Sequence, residues 1–383
     1  MKLKQMIKNE CEKDNQLAAR LAKLAGYEKV NGFYKFVNTP EKEMENIEGL
    51  INIVKSLFPD NEKQLLSEYF LELDPNKKCA RQSVEYADIN QWDDLTDEII
   101  INLCNSKNST SQEWGKVYSI HRKLNKRELS LTEANRETGK CKIKTPEMLF
   151  FSNAMLMYGY LSIGEFGLMK STSKLLDFDE LPQGYIKDLY ASRVSLLKAN
   201  ISFNENNLQE AREYCLDAIK KNSIDRICFF AYLTIGNSLI FESYDRAKHS
   251  YIKGKQYDKN SVQEEMMNGA LCFLANFWNK ENKWVNFTSQ DTKYLQLKAY
   301  YFINQEELMK AKTILDDLSK REQDDNELGF YFYYRGLLSL DKSDFYKSIA
   351  HFKKSEDKYS LQLPLFQLEK LGADLDLLSL ISL

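Results

Sequence analysis

The chain has 383 residues, with 53 Lys and Arg against 56 Asp and Glu, and a formal net charge of −3. Only 15 Gly and 6 Pro are present, too few for a turn-rich β protein, and the length exceeds what one compact core usually spans. The 7 Cys form no CxxC pair, so we expect reduced thiols in a cytoplasmic protein. We find neither a signal-peptide pattern nor the roughly 20 apolar residues of a membrane span.

The first predicted elements are two short helices near the N-terminus, in the segment NQLAARLAKLAGYEKVNGFYKFV. Gly26 is the expected C-cap of the first helix, and a short turn leads into the second. The inward-facing positions are predicted to be Leu17, Leu21 and Leu24 in the first helix and Phe33, Phe36 and Val37 in the second.

This helix pair has the skeleton of a helix-turn-helix, whose second helix enters the major groove of DNA. Residues 1–36 hold eight Lys and Arg against four Asp and Glu, a charge that suits a polyanion. Lys29 and Lys35 would then hold phosphate and Asn31 would read a base edge. An ordinary helical hairpin that caps a longer helical domain would show the same pattern.

A second basic stretch runs over residues 116–144 and also indicates a polyanion partner. A solvated helix face explains it equally well. Its cations are Lys116, Arg122, Lys123, Lys126, Arg127, Arg136, Lys140, Lys142 and Lys144.

The C-terminal half carries a triplet of residues at offsets 0, 4 and 7, usually small, large and small, which lie on one helix face. Successive triplets begin 36, 64 and 37 residues apart, a period typical of tetratricopeptide-like hairpins, and the long gap is predicted to hide a degenerate repeat around 268–283. The triplets are Ala211, Cys215 and Ala218; Ala247, Tyr251 and Gly254; Ala311, Leu315 and Leu318; and Ser348, Phe352 and Ser355. Small residues precede them in the partner helices at Ala199, Gly236, Ala299 and Gly336.

We therefore predict an all-α fold, a right-handed superhelix of tetratricopeptide-like hairpins with an N-terminal helix-turn-helix. The expected regions are a DNA-binding region at 1–60, linker helices or early degenerate repeats at 61–145, a peptide-binding solenoid at 146–370 and a capping or dimerisation tail at 371–383.

Stacked hairpins present a concave groove that binds extended peptides more often than it carries out chemistry. The repeat register places Asn200, Asn204, Asn237 and Gln296 on the concave side, followed by Tyr300 and Asn304. An amide both donates to and accepts from a peptide backbone, although an exposed Asn on a surface helix is common.

Catalytic patterns are not found. The three His, at positions 121, 249 and 351, are far apart, and HExxH, GxSxG and the glycine-rich phosphate motifs do not occur. We predict no enzyme activity, cofactor or metal.

Several segments together resemble the AimR family, the arbitrium receptors of temperate phages that infect bacilli. They are GLINIVKSLFPD, ARQSVEYAD, GKVYSIHRKL, IKTPEM, LTIGNSLIF, GALCFLANFWNKENKWVNF and DNEL. The similarity runs from about residue 8 to the last residue.

This resemblance implies a homodimeric regulator in the host cytoplasm, of the RRNPP class of peptide sensors. Such a receptor would bind phage DNA, activate a negative regulator of lysogeny, and be switched off by a short imported peptide. The resemblance adds Arg226, Asn326 and Asp357 to the peptide-binding residues; Arg226 would bind the peptide carboxylate and Asp357 a basic side chain. A sensor that controls a protein partner, or a plain repeat scaffold, remain alternatives.

The C-terminal tail LGADLDLLSLISL has more Leu than one terminal helix should expose. It is predicted to form part of a dimer interface, unless it only caps the last repeat. The residues concerned are Leu377, Leu378, Leu380 and Leu383.

Overall fold

The structure is a computed structural model that describes residues 2–14, 16–221, 224–258 and 260–374. In these ranges the chain forms 21 α-helices and a single 3-10 turn, without β-strands, which confirms the all-α prediction. None of the described helices combines the length and the apolar character that a membrane crossing requires. Contacts divide the chain into two compact units, unit 1 (Met1–Gly159 and Thr172–Tyr190) and unit 2 (Tyr160–Ser171 and Ala191–Leu383).

The first nine helices belong to unit 1. Amphipathic periodicity forms most of them, and polar side chains begin two of them: Asn108 caps the helix that follows it, and Ser130 makes a capping box with Glu133. Their bounds are α1 Lys2–Lys13, α2 Leu17–Leu24, α3 Val30–Asn38, α4 Ile47–Leu57, α5 Glu62–Leu71, α6 Lys78–Ile89, α7 Asp93–Cys104, α8 Ser109–Asn125 and α9 Leu131–Lys140.

Helices α2 and α3 confirm the predicted N-terminal pair, with two corrections. The C-cap of α2 is Ala25, and Gly26 follows it in the left-handed region at φ 78°. Leu24 is exposed and not inward-facing, because the buried face of α2 is the one that carries its alanines. The end of this face packs closely on α4, where a Cβ on Gly49 would overlap the backbone of Ala25. Leu21 is buried and Leu17 half-buried, as is typical of positions at the centre and edge of that face.

Lys4 is buried although it belongs to the basic N-terminal segment. Its Nζ donates hydrogen bonds to the backbone carbonyls of Thr39 (2.7 Å), Pro40 (2.9 Å) and Lys42 (2.5 Å). It also lies 4.7 Å from the ring centroid of Phe36. This ammonium therefore ties α1 to the segment after α3 and takes no part in an external charge surface.

The remaining helices pass from unit 1, which holds most of α10, into the hairpins of unit 2. Their bounds are α10 Pro146–Ser162, α11 Phe166–Ser173, α12 Tyr185–Asn204, α13 Leu208–Lys221, α14 Asp225–Ser238, α15 Tyr244–Lys255, α16 Ser261–Phe277, α17 Thr292–Asn304, α18 Leu308–Leu318, α19 Asp325–Ser339, α20 Lys342–Lys354 and α21 Gln362–Lys370.

Hairpin packing follows the predicted triplets. All their members are buried except Ser355, which is half-buried at the C-cap of α20. A Cβ on Gly236 would overlap the ring of Tyr251, and one on Gly336 would overlap Phe345. Each small residue therefore leaves space for an aromatic ring of the next helix. This is the close packing that the triplet offsets predict.

The long gap between the second and third triplets contains less than a full repeat. It holds α16, and residues 278–291 after it are outside any helix. Trp278 anchors the start of this connection by donating from Nε1 to the carbonyl of Ile240 (2.8 Å). The predicted degenerate hairpin around 268–283 is thus one helix followed by an irregular segment.

The turn after α20 contacts α12 and α14 within unit 2. Tyr359 donates from its hydroxyl to the carbonyl of Asn237 (2.6 Å), and its ring centroid lies 4.8 Å from that of Phe203. Asn204 donates to the carbonyl of Glu356 (3.0 Å). These contacts join residues more than 100 positions apart, and Phe203, Asn237 and Tyr359 line the cavity described below.

Candidate functional site

The cavity enclosed by unit 2, here called the groove cavity, has a volume of about 430 Å³. That size is typical of a site for a small ligand or a short stretch of peptide. Its polar lining consists of Asn237, Lys293, Gln296, Asn326, Glu327, Asp357, Tyr359 and Ser360. Its apolar lining includes Phe203, Leu233, Ile240, Phe241, Met266, Phe273, Leu297, Phe330, Tyr334 and Leu363.

Two of the amides predicted from the repeat register line this cavity. Asn237, at the end of α14, accepts from the hydroxyl of Tyr251 at Oδ1 (2.8 Å), which orients its amide. Gln296 in α17 is almost fully buried, and its Nε2 donates to the carbonyl of Glu327 (2.8 Å) and to Oε1 of Gln323 (3.1 Å). Both amides are therefore held in fixed orientations in the described structure.

The acidic end of the cavity is formed by Asn326 and Asp357. Asn326, in the first turn of α19, donates from Nδ2 to Oδ2 of Asp357 (2.9 Å). The other carboxylate oxygen accepts from the backbone N–H of Ser360 (2.8 Å). Two residues 31 positions apart are thus brought together, and the carboxylate keeps lone pairs for another donor.

The other three predicted peptide-binding residues do not line the cavity. Asn200 donates to the carbonyl of Leu196 in its own helix (2.8 Å), and Asn204 takes part in the closing contact with Glu356 described above. Arg226 lies in the first turn of α14 with its guanidinium 5.8 Å from the ring centroid of Phe230.

Two further positions in the predicted concave row require correction. Tyr300 is buried in the hydrophobic core among Tyr333, Tyr334 and Phe345. Asn304 donates from Nδ2 to the carbonyl of Asn276 (2.6 Å), which satisfies the backbone near the end of α16. Of these three positions in α17, Gln296 lines the cavity, whereas Tyr300 and Asn304 do not.

Lys293 is a cavity residue that sequence reasoning missed. It stands three positions before Gln296 in α17, so the helical spacing alone would have placed both on one face. Its side chain still reaches solvent, yet the surrounding protein lowers the pKa of its ammonium, and the carboxylate of Asp291 opposes that effect. The cavity thus contains an exposed positive charge that the surrounding protein partly desolvates.

A second missed charge is Glu327, in the first turn of α19. Its side chain accepts from the backbone N–H of Asp324 (3.2 Å) in a capping box. Burial raises the pKa of this carboxyl, and that hydrogen bond partly offsets the effect. Aromatic contacts complete the walls: the ring centroids of Phe273 and Phe330 are 6.1 Å apart.

This lining combines apolar walls with side-chain amides and charges of both signs. Apolar and aromatic walls exclude water, amides fix the direction of a backbone, and opposite charges stand at Lys293 and Asp357. A zwitterionic ligand with a carboxylate and a cationic side chain would complement both charges. Among the described residues, no three His, Cys, Asp or Glu are grouped so as to hold a metal ion.

The predicted DNA-contacting residues lie on the exposed face of α3 and at its start. Lys29 is the N-cap residue, and Asn31 and Lys35 are exposed, whereas Phe33 and Phe36 are fully buried beneath them. The first-turn N–H groups of a helix attract phosphate, which suits this surface to nucleic acid. The predicted dimerisation residues Leu377, Leu378, Leu380 and Leu383 lie outside the described residues.

Comparison with known proteins identifies the family of this chain. Residues 62–370 match the profile of the family described as AimR transcriptional regulator-like. The AimR transcriptional regulator of Bacillus phage phi3T is 74% identical over 378 residues, covering 99% of this chain and 100% of that protein.

Two solved structures of phAimR are similar to the fold. A selenomethionine form has a TM-score of 0.89 at 74% identity and covers 100% of both chains. A form named as phAimR with its ligand has a TM-score of 0.78 at 71% identity, and the alignment covers 88% of this chain and 100% of that one. The prediction that the chain is no enzyme is confirmed, because the family consists of transcriptional regulators. The chain belongs to the AimR family of transcriptional regulators.

Proposed function

We propose that this regulator binds phage DNA as a homodimer through α2 and α3, activates a negative regulator of lysogeny, and is switched off by a short communication peptide bound in the groove cavity. The observation that carries the proposal is the convergence of Asn237, Gln296, Asn326 and Asp357 on one cavity with Lys293. These residues come from α14, α17, α19 and the turn after α20.

Peptide binding is supported by the chemistry of the cavity. The carboxylate of Asp357 would accept a charge-assisted hydrogen bond from a basic peptide side chain, and Lys293 would attract a carboxylate. Arg226, Asn200 and Asn204 complete the proposed set of peptide contacts, with Arg226 as a second candidate for the C-terminal carboxylate. A solved structure of phAimR with a ligand supports the presence of a ligand site in this family.

DNA binding is supported by the exposed charge on α3. Lys29 and Lys35 would hold phosphates, and Asn31 would form hydrogen bonds with a base edge in the major groove. We assign residues 1–60 to this function, 61–145 to linker helices, 146–370 to peptide binding and 371–383 to the tail. The proposed location is the cytoplasm of the bacterial host, where the phage DNA is.

The switch would be a population shift. A peptide that contacts α14, α17 and α19 together would favour the closed arrangement in which Tyr359 donates to the carbonyl of Asn237. A differential affinity of about 2–3 kcal/mol between two arrangements would change DNA occupancy by roughly 30- to 150-fold. Moderate coupling is therefore sufficient for a strong biological response.

Dimerisation through the C-terminal tail is part of the proposal. The sequence places five leucines among residues 375–383, and self-association would bury their apolar surface. Removing Leu377 to Leu383 is expected to produce a monomer in sedimentation velocity, with an unchanged helical circular dichroism spectrum as the control. A dimer that persists after the deletion would assign the interface elsewhere.

The function is tested by fluorescence anisotropy on a duplex from the intergenic region beside the gene of this protein. The peptide would be a synthetic copy of the C-terminus of the neighbouring small open reading frame. Tight, salt-sensitive binding that the peptide weakens is the expected result. Binding to no duplex at any salt concentration would instead indicate a protein partner, and binding that is indifferent to peptide would remove the sensor function.

A further inference from the structure

A second cleft, formed in unit 1 by α8, α9 and the segment after α9, is lined by lysines. We call it the lysine cleft; its volume is about 800 Å³. Five exposed lysines line it against two glutamates. They are Lys116, Lys123, Lys140, Lys142 and Lys144.

The structure divides the basic stretch of the sequence into two parts. Arg122 is mostly buried and donates to Asp93 (2.7 Å) and Asp97 (3.0 Å), and Lys126 pairs with Asp97 (2.7 Å). These cations are neutralised within the protein. In the lysine cleft, Lys140 pairs with Glu137, whereas Lys116, Lys123, Lys142 and Lys144 form no ion pair with any described residue.

The remaining acid of the cleft holds the loop in place. Glu113 accepts from the backbone N–H groups of Lys144 (3.1 Å) and Thr145 (2.8 Å) and from the Thr145 hydroxyl (2.5 Å). Its carboxylate is therefore engaged in fixing the segment that carries Lys142 and Lys144. The net positive charge of the cleft is exposed on a fixed frame.

The spacing of the lysines favours an extended polyanion over a single small anion. Lys116 and Lys123 are two helical turns apart, roughly 10 Å along α8. Lys142 and Lys144 are alternate residues of the non-helical segment, about 7 Å apart if it is extended. None of the described lining residues is aromatic, so the cleft lacks the stacking platform on which single-stranded nucleic acids are bound.

The geometry points to a second, sequence-independent DNA contact, in which the lysine cleft binds the phosphate backbone of duplex DNA. This inference rests on the proposed DNA-binding function and extends it beyond the surface of α3. Lysines that contact phosphates release counterions, so they contribute affinity and salt dependence but no base discrimination.

The test is a fourfold Lys→Gln variant at positions 116, 123, 142 and 144. Affinity would be measured against salt concentration on the intergenic duplex and on an unrelated duplex of equal length. We expect binding to both duplexes to weaken by the same factor, about tenfold or more near physiological salt. The slope of log K against log salt should become shallower by about 0.9 for each phosphate that the variant no longer neutralises.

Two control variants make the result decisive. A fourfold Lys→Gln variant at the exposed positions Lys280, Lys312, Lys320 and Lys353 carries the same change in net charge and should keep most of the affinity. A fourfold Lys→Arg variant of the cleft should bind like the original protein, which would exclude a folding defect.

Two outcomes separate this inference from the proposed function. If the cleft variant loses no more affinity than the charge-matched control while the unmodified protein still binds the intergenic duplex, the lysine cleft is not a DNA contact and α3 remains one. If the unmodified protein binds neither duplex at any salt concentration, the DNA-binding function itself is wrong, and this inference fails with it.

Discussion

Replacing Gly236 by Ala is the sharpest test of how the hairpins pack. An added Cβ would come closer to the Tyr251 ring than van der Waals contact allows, and this side chain is fully buried and cannot swing into solvent. The same Tyr hydroxyl donates to Oδ1 of Asn237, the first amide of the groove cavity. A displaced ring would therefore disturb packing and the cavity together.

The expected net cost of Gly236→Ala is about 1–3 kcal/mol of unfolding free energy. Overpacking a well-filled site typically costs about 1–3 kcal/mol. Breaking the Tyr251 to Asn237 hydrogen bond adds about 1 kcal/mol. The better helix propensity of Ala returns about 1 kcal/mol.

Gly139→Ala is the matched control. Gly139 lies in α9, and a Cβ there would meet no atom within 4 Å. This variant should be about 0.5–1 kcal/mol more stable than the original protein. Urea unfolding followed by circular dichroism should thus separate the two variants by about 1.5–4 kcal/mol.

The explanation also predicts a coupling. Tyr251→Leu removes the ring, so it should cost less in the Gly236→Ala background than in the original protein. Peptide affinity of Gly236→Ala should fall as well, because Asn237 loses the partner that orients it. If the two alanine variants are equally stable, or if the Tyr251 effect is additive, the packing argument is refuted.

Three other outcomes are expected. Asp357→Asn should lower the affinity for a peptide carrying Lys or Arg by about tenfold or more, as measured by calorimetry. It should leave unchanged the affinity for the same peptide with Gln in that place. An equal loss of affinity for the two peptides would contradict the pairing. Desolvation by the surrounding protein lowers the pKa of Lys293, so the charged form of this side chain reduces the free energy of unfolding at low pH. This reduction disappears as the pH rises through the lowered pKa. Affinity for a peptide carboxylate should consequently decline at a pH below 10.5, the ordinary pKa of lysine. The Lys293→Arg variant should keep a constant affinity over the same pH range, because arginine stays charged. If the affinities of both proteins decline in parallel, Lys293 is not the partner of the carboxylate. Asn31→Ala should reduce the difference in binding free energy between the intergenic and unrelated duplexes by about 1–3 kcal/mol. Lys35→Ala should weaken binding to both duplexes equally, as measured by anisotropy. If Lys35→Ala instead reduces this difference and Asn31→Ala does not, Lys35 is the residue that reads a base.

The hairpin packing was predictable because it depends on steric complementarity between residues close in the sequence. Gly236 and Tyr251 are 15 positions apart in consecutive helices. In a helical-hairpin repeat a small residue in the first helix leaves room for a large side chain of the second, so the sequence already indicates that the Tyr251 ring packs on Gly236. The same regularity placed Asn237 and Gln296 on the concave side. Repeat register is a local property, and local spacing determines it.

The remaining cavity features were not predictable from register. Tyr300 and Asn304 follow Gln296 at helical spacing, yet one packs into the core and the other bonds to the backbone of Asn276. Spacing specifies a face of a helix, not which polar group its side chain will meet. The hydrogen bond from Tyr359 to the carbonyl of Asn237 depends on the small rotations between successive hairpins, summed over several hairpins. The sequence of a single segment does not determine that sum.

The hydrogen bonds already present in the groove cavity determine which residues supply affinity. Gln296 must give up a bond to Glu327 or Gln323 before its amide can donate to a peptide, so the exchange is nearly neutral in free energy. Asp357 keeps both of its present partners and still has unused lone pairs, and a cationic side chain would add a charge-assisted bond without breaking any. The amides should therefore select the direction and register of the peptide, whereas Asp357 and the aromatic walls supply most of its binding free energy.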